Sequence, residues 1–146
     1  MTAVLDSRLL ERSDDLALLR NELAAVTDTG RGRLVLIAGE AGIGKTSLVR
    51  AFCSELDKLR VLSGACDALH TPRPLGPLVD ISEQTGGELA QLVEDCAPVG
   101  DLQMVFAKEL RRRSPTVVVL EDLHWADQAT LDLVRLLGRR TRSRVA

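Results

Sequence analysis

Aromatic residues are scarce in this sequence: among 146 residues there are two Phe, one Trp and no Tyr. Apolar residues still make up 45% of the chain, which has the length of one domain. A core of Leu, Val, Ile and Ala is therefore expected. Lysine is also rare, with three residues against 16 arginines, so each lysine in a motif is conspicuous.

Several classes of protein are disfavoured by what else is missing. The net charge of -2 gives no general attraction to nucleic acid or to an anionic membrane. The three cysteines, at 53, 66 and 96, form no C-x-x-C or Cys/His cluster, so we expect neither zinc nor a disulfide framework, but buried free thiols. No segment reaches the roughly 20 apolar residues of a membrane span, and the N-terminus does not resemble a signal peptide. These absences predict a soluble, cytoplasmic protein that binds no membrane.

One stretch, GEAGIGKT at residues 39–46, matches the pattern G-x-x-x-x-G-K-[ST] at every fixed position. It follows the apolar run 34–38 and precedes a helical pattern, which is the context that a phosphate-binding loop requires. Glycines let backbone N–H groups from Gly42 through Ile43 to Thr46 point at phosphates, and the following helix adds its positive end. The sequence therefore predicts binding of a nucleoside triphosphate. The predicted nucleotide ligands are Gly39, Gly42, Ile43, Gly44, Lys45, Thr46 and Ser47, with Lys45 at the β- and γ-phosphates and the Thr46 hydroxyl on Mg²⁺.

Helical and strand patterns alternate along the chain. Predicted strands cover 34–38, 61–66 and 116–120, the last a β-branched run typical of a strand buried on both faces. Predicted helices cover about 13–27, 45–59, 78–82, 88–96, 101–113 and 128–137, with Ser13, Asp101 and Asp127 as N-caps. Residues 70–77 hold three prolines and predict an irregular connection. This order implies an α/β fold with right-handed crossovers and a parallel sheet.

A second motif, VVVLED at residues 117–122, has four apolar residues followed by two acids. Such a strand can place a carboxylate opposite the Mg²⁺ that Thr46 and the phosphates hold. We assign Glu121 to Mg²⁺ through a water and Asp122 to the orientation or deprotonation of the attacking water. The reverse assignment stays open, because neighbouring residues of a strand point to opposite sides.

Of the residues that follow, His124 and Trp125 each have two interpretations. His124 contacts the γ-phosphate or packs under Trp125. Trp125 is more typical of a residue that anchors the loop than of one that stacks on a base. Asp127 is most simply the helix cap.

With both motifs in place, the chain resembles the N-terminal ATPase domain of STAND-class P-loop NTPases, which are AAA+-related. The likeness is strongest to large ATP-binding regulators of the LuxR type, and it is carried by residues 9–19, 37–46 and 118–127, with the sequence LHWAD as the most specific part. The resemblance implies a P-loop three-layer sandwich with a parallel sheet. It also implies an ATP- and Mg²⁺-dependent switch that self-associates and acts on transcription through further effector domains. On this reading residues 1–12 are a lead-in, and residues 13–146 are a partial P-loop domain.

Two departures from the family pattern modify these expectations. Where the family has Gly-Arg, this chain has Glu11-Arg12; Arg12 is retained and is expected near the nucleotide base. In similar proteins a further strand carries a sensor residue and lies between the two motif strands, whereas here residues 144–146 are only its start. We therefore expect three strands, a missing central strand and unpaired backbone between 34–38 and 116–120. A fragment, a truncated reading frame, or a chain that dimerises or re-pairs would each account for this.

Three functions remain open from the sequence, with a small P-loop kinase a distant fourth. The first is an ATP-binding, slowly hydrolysing switch of a transcriptional regulator. The second is a module that binds Mg-ATP without turnover, since sensor and arginine finger are not found. The third is an AAA+ ATPase acting on DNA, although no direct nucleic-acid binding is expected of this chain.

Overall fold

A computed structural model describes residues 12–68, 74–113, 115–139 and, by their backbone, 142–145. Helices and strands alternate along most of this length, as the sequence predicts. The elements, in chain order, are α1 Ser13–Thr29, β1 Arg33–Leu36, α2 Lys45–Ser54, β2 Arg60–Ala65, α3 Gly76–Thr85, α4 Gly87–Glu94, α5 Val99–Arg112, β3 Thr116–Glu121, a 3-10 turn Leu123–Trp125, α6 Gln128–Arg139 and β4 Arg142–Val145.

The chain divides into two compact units, of which the first comprises residues 1–58 and 140–146. Its described elements are α1, β1, α2 and β4. Leucines 16 and 19 of α1 are buried, as are Leu48 and Phe52 of α2, so these two helices turn apolar faces inward. An exposed bidentate ion pair, from Arg20 to Glu55 at 2.6 and 2.7 Å, joins α1 to the end of α2.

The expectation of three strands with an unpaired β1 is wrong. A fourth strand, β4, runs parallel to β1 over four residues, in a register from Arg33 opposite Arg142 to Leu36 opposite Val145. Only residues from 144 onward were predicted to begin a strand. The sequence signal fails here because residues 139–144 are mostly arginines, and an apolar pattern is the usual mark of a buried strand.

The second unit comprises residues 59–139. Its strands β2 and β3 are parallel, with Arg60 opposite Thr116 and Ala65 opposite Glu121. Helices α3, α4, α5 and α6 complete the unit. Its core contains a single aromatic side chain, Phe106, among aliphatic residues: Leu62, Leu75, Leu78, Ile81, Leu89, Leu102, Val105 and Leu133. The predicted aliphatic core is thus confirmed.

Two details of the predicted elements are wrong. The strand β3 is only partly buried at all six positions, rather than buried on both faces. The caps at Ser13 and Asp101 are also wrong: Arg12 and Pro98 precede the helices, and the two predicted caps lie within the first turns. The left-handed Gly30 does end α1, as predicted.

Side chains of α3 complete the hydrogen bonding of β2 on the edge away from β3. The Gln84 side chain accepts from the Ser63 N–H at 3.0 Å and donates to the Ser63 carbonyl at 2.6 Å. The Asp80 carboxylate accepts from the Ala65 N–H at 3.0 Å. Unpaired backbone at a sheet edge is a liability, and here side chains of α3 pair with three backbone groups of that edge.

Some predictions fall outside the described residues: the lead-in up to Glu11, the proline-rich connection over 69–73, and the final Ala146. Among the helices that the structure describes, none has the length and apolar character needed to cross a bilayer.

Candidate functional site

The loop at residues 39–46 takes its shape from its glycines. Gly39, Gly42 and Gly44 have φ values of 156°, 80° and 93°, which L-residues with side chains rarely adopt. At Gly39 a Cβ atom would lie only 2.9 Å from Cγ2 of Ile43. Gly44 is the N-cap of α2, so it leaves the first N–H groups of the helix without a capping side chain. The structure thus has a glycine loop at the N-terminus of a helix, which is the local geometry that the motif predicts, and phosphate binding there stays a prediction.

The side chain of Lys45 reaches back to the start of the loop at residues 39–46. Its Nζ atom donates hydrogen bonds to the carbonyl oxygens of Gly39 at 2.6 Å and of Glu40 at 2.9 Å. Lys45 as a whole is half-buried, and both of these hydrogen bonds are exposed. Because those acceptors are neutral, an anion in the loop would be a stronger partner for Lys45.

Thr46, Ser47 and Ile43 are exposed, Ile43 with 53% of its surface accessible. The opposite face of α2 is fixed by the buried Leu48 and Phe52, which are 2% and 8% exposed. The helix is thus anchored by its apolar face, and its first-turn hydroxyls remain accessible to a ligand.

Arg12 lies beside the same loop. Its Nη1 atom is 3.8 Å from the position that a Cβ atom would take at Gly44. That nitrogen is buried and has no hydrogen-bond partner among the described residues, while Nε lies 3.5 Å from the Asp15 carboxylate. An unsatisfied buried N–H of a cation is costly, so an acceptor at this point would be stabilising. The residues around the loop thus fit an anionic ligand.

The second predicted motif ends β3 and continues as a loop at residues 121–127, which we call the acidic loop. Glu121 is the last strand residue and is partly buried. Asp122 is exposed and takes the left-handed conformation, with φ of 57°. The carbonyl of Asp122 accepts a hydrogen bond from the Trp125 N–H at 2.9 Å, which closes the 3-10 turn. The two acids therefore differ in both backbone conformation and exposure.

Glu121 lines a cavity of about 370 Å³ at the carboxyl ends of β2 and β3. Asp80 and Glu83 of α3 line the same cavity. No sequence motif marks these two acids, which lie 38 or more residues before Glu121. The only signal is the spacing of Asp80 and Gln84, which places two polar residues on one face of a helix.

Cys66 is buried near these carboxylates. Its N–H donates to the Glu121 carbonyl at 3.0 Å, which extends the pairing of β2 with β3 by one residue. Burial raises the pKa of the Cys66 thiol, and the charges of Asp127, Asp122, Asp67 and Asp80 raise this pKa further. The thiol is thus a neutral packing group. Cys66 alone fits the expectation of buried thiols, since Cys53 is half-buried and Cys96 is exposed.

The remaining residues of the acidic loop have distinct environments. The rings of His124 and Trp125 are in contact, with centroids 5.0 Å apart, which fits the packing alternative for His124. Trp125 is 49% exposed, so it is not a buried anchor. Asp127 caps α6 as predicted: its carboxylate accepts from the Ala129 N–H at 3.0 Å and from the Thr130 hydroxyl.

Comparison with known proteins gives a match to a protein-family model. No curated protein and no solved structure matches the sequence. A family model described as an AAA ATPase domain matches residues 8–146. Since the match covers nearly the whole length, the chain belongs to the AAA ATPase domain family, and this membership implies that it binds a nucleotide.

Proposed function

We propose that this chain binds Mg-ATP and serves as the nucleotide switch of a STAND-class signal-transduction ATPase. The observation that carries the proposal is the environment of the glycine loop at residues 39–46. Lys45 Nζ and Arg12 Nη1 both lie at this loop, and Arg12 Nη1 has no hydrogen-bond partner among the described residues. Two cations and the N-terminus of α2 provide the positive charge that a triphosphate needs.

In this proposal the loop residues bind and orient the nucleotide. Backbone N–H groups of Gly42, Ile43 and Gly44 and the side chain of Lys45 hold the phosphates, with Ser47 beside them. Arg12 was expected near the nucleotide base, whereas the position of its Nη1 atom beside Gly44 favours a place near the phosphates. Thr46 is the Mg²⁺ ligand, and bound Mg²⁺ neutralises phosphate charge and polarises the phosphoryl group.

The acidic loop supplies the carboxylates of the proposed ATPase. We retain Glu121 for Mg²⁺ through a water and Asp122 for the attacking water. The exposure of Asp122 supports its role, because a group that contacts solvent water has to be accessible. The overall arrangement proposed is the three-layer P-loop sandwich of the family. Transcriptional output through effector domains, and self-association, follow from the resemblance to LuxR-type regulators.

The binding part of the proposal is tested with a fluorescent ATP analogue and Mg²⁺. Lys45→Ala should weaken affinity roughly 10- to 100-fold, since a hydrogen bond to a charged group is worth about 1.5–3 kcal/mol. Lys58→Ala is the matched control, because it removes one of the other two lysines, exposed and outside the loop. Equal affinity of the Lys45→Ala variant and the wild type would overturn the proposal.

Turnover is tested separately by phosphate release. Release by the wild type above the level of the Lys45→Ala variant, and its loss in Asp122→Asn, would support the slow ATPase. Nucleotide binding with release no higher than in the Lys45→Ala variant would favour the alternative of a binding-only module.

A further inference from the structure

The carboxylate of Asp127 does more than cap a helix. Besides its bonds to the Ala129 N–H and the Thr130 hydroxyl in α6, its Oδ2 atom accepts from the N–H of Leu75 at 3.4 Å. Leu75 is 52 residues away in sequence and immediately precedes α3. One carboxylate therefore joins the end of the acidic loop to the start of a helix on another part of the second unit.

Leu75 is held in an unfavourable conformation. Its φ is 54°, in the left-handed region that costs a residue with a side chain roughly 1–2 kcal/mol. It is also 1% exposed, and its carbonyl accepts from the Leu78 N–H at 2.8 Å to open α3. Asp122, at the other end of the acidic loop, has φ of 57°. Conformations of this kind persist only where surrounding contacts hold them, and they concentrate at functional loops.

The helix that Leu75 precedes is bonded to β2, the strand that pairs with β3, and β3 leads into the acidic loop. Through Asp80 and Gln84, α3 bonds to β2, and Asp80 and Glu83 line the cavity that Glu121 also lines. The contacts form a closed path from Glu121 along the loop to Asp127, across to Leu75 and along α3 back to the cavity. Removal of the Asp127–Leu75 hydrogen bond interrupts this series of contacts at one point.

We propose that Asp127 is a positioning residue. It fixes the backbone turn at Leu75 and thereby holds α3 and the acidic loop in fixed positions relative to each other. The proposal deepens the proposed function and rests on it for the importance of Glu121 and Asp122. It assigns Asp127 no contact with nucleotide. Its consequence is that the cap of α6 and the position of α3 depend on the same carboxylate.

The test is hydrogen exchange of the full chain without nucleotide, comparing wild type with Asp127→Ser and Asp127→Asn. Serine is a good N-cap, but its shorter side chain does not reach Leu75. Asparagine keeps the size of Asp127 and leaves one acceptor oxygen for three donors, which provides a second variant if the serine variant folds poorly. Asp132→Asn is the control, since Asp132 is exposed on α6 and bonds only Gln128 and Arg135 in the described structure.

We expect peptides covering 74–85 to exchange roughly 2- to 10-fold faster in Asp127→Ser, the range that one net hydrogen bond allows, while α6 stays protected. Trp125, the only tryptophan, should also become more accessible to acrylamide quenching. Unchanged exchange of 74–85, or an equal loss of protection in α6, would reduce Asp127 to a helix cap and overturn the proposal. The exchange experiment contains no nucleotide. Its result therefore does not depend on whether the chain binds ATP in the separate assay, and the two proposals can fail independently.

Discussion

The glycine loop at 39–46 and the acidic loop at 121–127 are built by different means. The first depends on backbone conformation within eight residues: three glycines with positive φ and a lysine that bonds carbonyls five and six residues before it. The second depends on contacts with residues far away in sequence, such as Leu75 and Cys66. A local motif can therefore specify the first loop almost completely, and the second only in part.

The two units that carry these loops also differ in the number of apolar side chains that they bury. The described part of the first unit buries four apolar side chains, those of Leu16, Leu19, Leu48 and Phe52. In the described part of the second unit, which carries the acidic loop, nine buried residues form a continuous core. Damage to that core should therefore disturb the acidic loop first, whereas damage to the glycine loop requires a change in the loop itself.

The largest expected effect comes from Phe106→Ala. Phe106 is fully buried at the centre of the second core, and truncation of such a residue costs about 3–5 kcal/mol. Urea unfolding followed by Trp125 fluorescence measures the loss, because Trp125 belongs to the same unit. Met104→Ala on the same helix is the control, since Met104 is 64% exposed and should change stability by less than about 0.5 kcal/mol. Similar losses in both variants would contradict the packing described here.

Gly64→Ala should break the contact between β2 and α3. The added Cβ atom would lie 2.3 Å from the Pro77 carbonyl oxygen and 2.8 Å from its Cα, and backbone cannot move aside cheaply. Overpacking of this kind costs about 1–3 kcal/mol. In Gly100→Ala the new methyl group meets nothing within 4 Å, so this helical substitution should be neutral or stabilising by up to about 1 kcal/mol. Thermal unfolding of both variants checks the contrast, which fails if Gly64→Ala melts at the wild-type temperature.

A comparison of Gly44→Ala with Gly30→Ala separates an effect on nucleotide binding from the effect of backbone strain on stability. Alanine at φ of 93° costs about 1–2 kcal/mol, although the nearest atom, Arg12 Nη1, leaves room for it. Relief of this strain would distort the loop, so we expect ATP affinity to fall with stability. Gly30→Ala is the control. Gly30 also has a positive φ, 65° at the end of α1, but it lies outside the loop. It should lose comparable stability and keep its affinity for the fluorescent ATP analogue. Equal affinity in the two variants would show that Gly44 has no special role.

Sequence patterns predicted most of the fold for a physical reason. The amphipathic spacing of α5 and the glycines of residues 39–46 act locally, so both can be recognised along the chain. The strand β4 escaped recognition because its sequence, RSRV at 142–145, has no apolar run, although its backbone pairs with β1. The Asp80, Gln84 and Leu75 contacts were missed because each depends on which segments the fold brings together. Asp127 makes one contact of each kind. Its cap of α6 is local and was predicted, whereas its bond to Leu75 depends on the fold and was not.

The smallest expected effect concerns the far end of α2, the helix that follows the glycine loop. There the hydrogen bond from Arg20 lowers the pKa of Glu55, and both groups are exposed. A carboxyl group whose pKa is lower in the folded state adds stability above its unfolded pKa of about 4.3, and this contribution disappears as the pH falls through the folded pKa.

Glu55→Gln should therefore be slightly less stable than wild type at neutral pH, and the difference should shrink below about pH 4.3. It should also shrink in 1 M salt, where the screening length falls to about 3 Å. Unfolding midpoints of the two proteins across this pH range measure the difference. If it persists unchanged at acid pH and in 1 M salt, the charge of Glu55 is not the source of the difference, and the ion pair with Arg20 does not stabilise this end of α2.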